Sequence, residues 1–276
     1  MIAAAKELLR FSPGGDNAKL KELQKKMGRK LYTFSLVSGE SCPYADKCLA
    51  KVQIAKTGKR SIWRGPEMEH QCFSASMELI FPAVHNQRIH NGNLILELAA
   101  RDYKAAADLI CASIPQDCSL LRIHVGGDFK TRPYFKAWCL ALSRMPNILA
   151  YAYTKSLPFW VLERELGTIP ENLILTASVG GKADSWIWKH KLRYVRVVHT
   201  VKSAERFWRL PIDHDDSHAC MPEYRNQNFA LLIHGKQPAG SPAMRAVTAL
   251  KGVGSYSTTG MAGKWGTRIR QKKVAA

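Results

Sequence analysis

The chain has 276 residues, 46% hydrophobic and 23% charged, and a formal net charge of +19. These are the proportions of an ordinary folded protein, and no apolar run reaches the ~20 residues that would span a bilayer. Seven cysteines, an odd number, behind a start ("MIAAAKELLRF") with no secretory pattern point to a reducing, cytoplasmic setting without a disulfide framework.

Residues 1–30 read as a basic, helical N-terminal segment. "NAKLKELQKKMGRK" puts Leu20, Leu23 and Met27 at helical spacing with lysines on the other face. An α/β core follows over 31–240. Its strands are expected at "LYTFSLV", "LLRIHV", "ILAYAY", "NLILTAS", "YVRVVHT" and "FALLIH", several of them wholly apolar, as strands covered on both faces are. Helical segments such as "RPYFKAWCLALSRM", "LPFWVLEREL" and "DSWIWKHKL" alternate with them. The period is that of a βα unit, so the sheet is parallel: an open doubly wound sheet or a (β/α) barrel. We expect a partial (β/α)6 TIM-like barrel with a cysteine-bearing loop after its first strand. Residues 50–119 are expected to add two helices to that loop, and residues 241–276 an extended, Gly-rich basic arm.

Charge is concentrated at the ends. Residues 1–30 hold 8 Lys/Arg against 3 acids, and residues 225–276 hold 9 against none. Basic termini of this kind suit a polyanion, so nucleic acid, DNA or RNA, is the expected partner. A membrane is not.

Ligands of parallel α/β proteins sit beyond the C-terminal strand ends. Beyond the first strand lies "SGESCPYADKC"; beyond the next come Gly126, Gly127 and Asp128, then Lys155, then Ser178 before a second Gly-Gly pair. Cys42, Cys48 and Cys72 form C-x5-C-x23-C in loop-like surroundings, whereas Cys111 and Cys139 lie on apolar helical faces. Three thiolates suit an iron–sulfur cluster with one iron left open for an exchangeable ligand, or zinc with His70 or Cys220 as a fourth ligand. A second constellation, "DHDDSH", gathers Asp213, His214, Asp215, Asp216 and His218; it is either a capped acidic loop or an acid–base and hard-metal site led by Asp215 and His218.

The segments "SLVSGESCPYADKC", "CFSAS", "RIHVGGDF", "YAYTKSLPFW", "NLILTASVGG", "IDHDDSHA" and "FALLIHGKQPAGS" resemble the phage and mobile-element "gene product eighty-eight" family across most of 31–245. A looser similarity is to radical S-adenosylmethionine enzymes. It implies a [4Fe–4S] cluster on Cys42, Cys48 and Cys72, with S-adenosylmethionine held at Gly126, Gly127 and Asp128. Asp128 would accept the methionine amine, and Lys155 or Ser178 would meet carboxylate or ribose. The cysteine spacing is wider than the usual C-x3-C-x2-C, and Asp stands where Glu is usual. Three readings follow: an iron–sulfur protein with radical chemistry on nucleic acid or a nucleotide; a non-enzymatic nucleic-acid-binding protein with a structural zinc or cluster; and a metal-dependent phosphodiester hydrolase built on "DHDDSH".

Overall fold

The computed structural model of the protein describes residues 7–252. A two-residue edge, β1 (Ser12–Pro13), pairs antiparallel with β2 (Leu31–Phe34), and α1 (Ala18–Met27) lies between them in sequence. The Asn17 side chain accepts from the N–H groups of Lys19 and Leu20 to start α1, and Gly28 ends it in the left-handed region at φ 61°. After the cysteine loop comes a separate hairpin, β3 (Ala50–Ile54) with β4 (Arg60–Arg64). Then come α2 (Phe73–Ile80), α3 (Pro82–Arg101) and α4 (Tyr103–Ser113).

From there strand and helix alternate. In order they are β5 (Leu120–Ile123), α5 (Arg132–Ser143), β6 (Leu149–Thr154), α6 (Leu157–Glu165), β7 (Leu173–Ser178), α7 (Ser185–Lys189) and β8 (Tyr194–Val198). A π-helical turn (Ser203–Trp208), α8 (Ser217–Cys220), β9 (Phe229–Leu232) and α9 (Pro242–Ala249) follow among the described residues.

The sheet runs β1-β2-β5-β6-β7-β8-β9, and every pair but β1–β2 is parallel. All six strands expected from the sequence are present. Their order never reverses, so the sheet has no switch point of the doubly wound kind. Neither does it close: β1 and β9 are its two edges, and a TIM-like barrel is not formed among the described residues.

Alternation sorts each strand between two cores. Leu121, Ile123, Ala150, Ala152, Leu173 and Leu175 pack with buried residues of α3 to α7. Leu120, Tyr151, Ile174, Val195 and Phe229 turn the other way, onto Leu20 and Leu23 of α1 and Ala219 and Cys220 of α8. The N-terminal helix is thus part of the core, covering the inner face of the sheet. Three more differences from the sequence reading stand out. Residues 50–64 form a hairpin, three helices (α2, α3 and α4) stand where two were expected, and Pro242–Ala249 is a helix whose Ala243 is fully buried rather than part of an extended arm. The rest of the expected arm, 253–276, lies outside the described residues. No helix among the described residues is long and apolar enough to cross a membrane.

Candidate functional site

Beyond the C-terminal strand ends is a cavity of about 180 Å³ lined by Cys42, Cys48 and Cys72 together with Gly126, Gly127, Asp128, Lys155 and Ser178. The fold thus brings these eight expected residues to one place. Two separate segments deliver the thiols. Cys42 and Cys48 come from the loop after β2, where the backbone N–H of Gly39 donates to Cys42 Sγ at 3.4 Å. Cys72 is the residue before α2, where the backbone N–H groups of Ala75 and Ser74 favour its thiolate.

The two Gly-Gly pairs explain how the segments are held. A Cβ on Gly126 would stand 2.1 Å from Ser74 Oγ, and one on Gly127 2.4 Å from Ser41 Oγ. The close approach that only glycine permits here is therefore to the cysteine-bearing segments themselves. The second pair acts likewise. Ala45 bridges to Gly181, Lys47 N–H donates to the Gly180 carbonyl (3.0 Å), and Asp184 accepts from both glycine N–H groups.

Behind the cysteines lies a clamp that the sequence reading missed. Glu78, fully buried, accepts from the N–H and hydroxyl of Ser38 (2.9 Å each) and from the Arg88 guanidinium. Arg88 in turn donates to Ser74 Oγ at 2.6 Å. Glu78, on the helix that follows Cys72, thus ties that helix to the Cys42 loop through Ser38 and to α3 through Arg88. The available signal was a lone Glu in the otherwise apolar "SASMELI".

Asp128 is a fastening. Its Oδ1 accepts from Thr154 Oγ1 (2.6 Å) and Phe129 N–H (2.7 Å), and its Oδ2 from Lys155 N–H (2.8 Å), locking the end of β5 to the end of β6. Burial outweighs these bonds and raises its carboxyl above the usual range. Lys155 Nζ reaches across to Ser178, bonding its hydroxyl (2.7 Å) and carbonyl (3.0 Å).

Burial pushes the Cys42 thiol well up and, with the neighbouring Cys48, the Cys72 thiol to about 11. Three imidazoles line the cavity, those of His70, His124 and His234. Burial, with Lys155, His199 and His234 nearby, lowers His70 to about 4, and burial lowers His234 to about 4. Both are neutral at pH 7. Among the described residues no three His, Cys, Asp or Glu side chains converge on a single metal ion.

The "DHDDSH" loop does not join this cavity. Asp216 sits under its floor, where the carboxylate meets Lys19 Nζ (3.1 Å), the Arg122 guanidinium (2.6 Å) and Tyr151 Oη (3.0 Å). Those two cations hold its carboxyl far below the usual range against the cost of burial. Asp215 pairs with Lys26 (2.5 Å) and accepts from Ser217, while His218 faces Asp213 and stacks on Tyr224, ring centres 4.2 Å apart. Asp215 and Asp216 thus form a lock that fastens α1 to the inner face of the sheet, and His218 is engaged beside it by Asp213 and Tyr224. Cys220 lies there too, its sulfur 3.5 Å from Met27 Sδ, and the structure does not bring it to the other three cysteines.

An open parallel sheet with a thiol-lined cavity at its C-terminal edge defines an α/β protein built around three cysteines. The family model described as Gene product 88 matches residues 7–251, and the chain belongs to that family. Among curated relatives, the Gene 88 protein of Mycobacterium phage L5 is 27% identical over 123 residues, 42% of this chain and 44% of the relative. The Gene 88 protein of Mycobacterium phage D29 is 26% identical over 123 residues, 42% of this chain and 43% of the relative. The match therefore spans less than half the length of either relative. No solved structure matches the chain.

Proposed function

We propose that the protein is an iron–sulfur protein of phage type, whose Cys42, Cys48 and Cys72 hold one cluster and which performs radical S-adenosylmethionine-like chemistry on nucleic acid or a nucleotide. One observation carries this reading. Three cysteines from two segments line a single cavity at the C-terminal strand ends, while Cys220 is sequestered on the far side of Asp216.

The donor set fits the group. It is all sulfur, which suits a soft site. The Gly39 N–H already donates to Cys42 Sγ, and bonds of this kind stabilise a cluster's negative charge. A cluster binds each cysteine at a different iron, so its ligands need not converge on one point as those of a lone ion must. That distinction favours a cluster over a preformed zinc site. With S-adenosylmethionine present, such a cluster supplies the electron that makes hydrogen abstraction accessible.

This chain's own residues do the rest. Asp128 keeps the ends of β5 and β6 in register beside the glycines. Lys155, aimed at Ser178, offers a cation and Ser178 a hydroxyl to a ligand's carboxylate or ribose. The neutral His70 and His234 add no charge to the cavity at pH 7. A structural zinc in a non-enzymatic binding protein is the second reading, and one observation favours it: His70 lines the same cavity in the neutral form that a metal requires. The hydrolase reading has no comparable support, because Asp215 and Asp216 are taken up by Lys26, Lys19 and Arg122.

The test is S-adenosylmethionine cleavage by anaerobic, reduced protein. The expected products are deoxyadenosine and methionine, absent with Cys48→Ala. A protein that holds its cluster yet yields neither product would remove the radical chemistry and leave the iron–sulfur assignment.

A further inference from the structure

We propose that the outer surface around β8, from α7 to the π-helical turn, is a platform for single-stranded nucleic acid; this rests on the nucleic-acid part of the reading above. Residues 185–209 carry seven Lys/Arg against the single acid Glu205. That excess of +6 exceeds the +5 of the entire span 31–224, so the remainder of the core has no basic surplus at all. The N-terminal helix is a weaker candidate than its composition implies, since Lys19 and Lys26 are paired with Asp216 and Asp215.

Aromatic rings stand among these cations. Trp188 is 52% exposed, Phe207 74% and Trp208 45%. They are linked through β8, where Tyr194 and Arg196 share the outer side of the strand. Trp188 meets Tyr194 edge-on with ring centres 5.1 Å apart, and the Arg196 guanidinium lies 3.8 Å from the centre of the Trp208 ring. A cleft of about 420 Å³ beside Trp188 is lined by Lys191, Arg193 and Arg225. The π-helical turn presents Arg206, Phe207 and Trp208 outward together, and Arg209 ends it in the left-handed region at φ 52°. Short π segments of this kind are often found at functional positions.

Flat rings interleaved with cations match unpaired bases strung on phosphates. A duplex hides its base faces and would feel only the charge. A membrane-binding face would keep its apolar residues apart from its cations, whereas here a guanidinium lies on the ring itself.

The experiment is fluorescence anisotropy of labelled oligo-dT, oligo-rU and a duplex with the full chain across a salt series, and flotation with phosphatidylserine-containing vesicles. Phe207→Leu with Trp208→Leu should weaken single-strand binding about tenfold or more. Its salt slope and its unfolding midpoint should match the parent, and Trp208→Tyr alone should bind as the parent does. Arg206→Ala with Arg209→Ala should flatten the slope by about 0.7 per residue. The two oligonucleotides decide between DNA and RNA. Binding of the oligonucleotides by the Phe207→Leu, Trp208→Leu variant as tight as the parent's would overturn the platform while leaving nucleic-acid binding intact, carried elsewhere. A parent that binds neither oligonucleotide would overturn the platform and the nucleic-acid reading together, with the cluster still open to its own metal assay. Capture by vesicles instead of oligonucleotides would make the surface a membrane contact and overturn the proposal.

Discussion

Asp216 is the residue on which the inner face depends. Its carboxylate serves two cations and a phenol while almost wholly buried, in a left-handed backbone conformation (φ 65°) that Asn also tolerates. Asp216→Asn therefore keeps the backbone and removes the buried charge that Lys19 and Arg122 both meet. We expect a loss of about 3 kcal/mol or more in urea unfolding; a change under about 0.5 kcal/mol would mean the pair contributes little. Buried histidine governs the acid side. Burial lowers His124 to about 3, far below its ordinary value, so between pH 6.5 and that point the unfolded chain binds the proton and the folded chain does not. Stability accordingly falls as pH drops through this window, and His124→Gln should make the fall shallower in the same titration. An unchanged pH slope would exclude His124 as its source. At this scale the sequence was informative about identity and silent about partners. "DHDDSH" stood out as reactive chemistry, yet its charges answer lysines and an arginine far away in the chain, which no local pattern reveals.

At the scale of elements, the parallel strands were readable because burial on both faces leaves nearly continuous apolar runs. The β3–β4 hairpin was not, since "AKVQI" and "RSIWR" are short and largely exposed. The last helix hid among Gly, Ser and Pro, although Ser241 at its cap and Pro242 in its first turn are a start signal that could have found it. The Gly-Gly pairs were correctly placed at strand ends, but their reason emerged only in three dimensions: α2 and the cysteine loop pack directly on them. Gly126→Ala tests this. The added methyl would collide with Ser74 and Arg88, displacing the segment that carries Cys72. We expect a destabilisation of roughly 1–3 kcal/mol, as for overpacking, and a lower metal content at equal protein concentration. Full metal loading in a normally stable Gly126→Ala protein would show that the approach is not needed to assemble the site.

Across the whole molecule, one edge of the sheet gathers the thiols and the opposite, inner face is closed by a helix held through charge. Location at the strand ends was foreseeable from the βα rhythm, and so was the grouping of Cys42, Cys48 and Cys72 with Asp128 and Lys155. The exclusion of Cys220 was not, because sequence distance gives no hint that α8 turns its sulfur toward Met27. That exclusion is what makes an open-site cluster the favoured reading over a closed four-cysteine centre. The most direct measurement is iron, sulfide and zinc content of protein purified without oxygen, beside Cys42→Ala, Cys48→Ala, Cys72→Ala and Cys220→Ala. The account predicts about four irons and four sulfides per chain, lost in each of the first three variants and retained in Cys220→Ala. One zinc with no iron, or iron lost in Cys220→Ala while the protein remains folded, would contradict it.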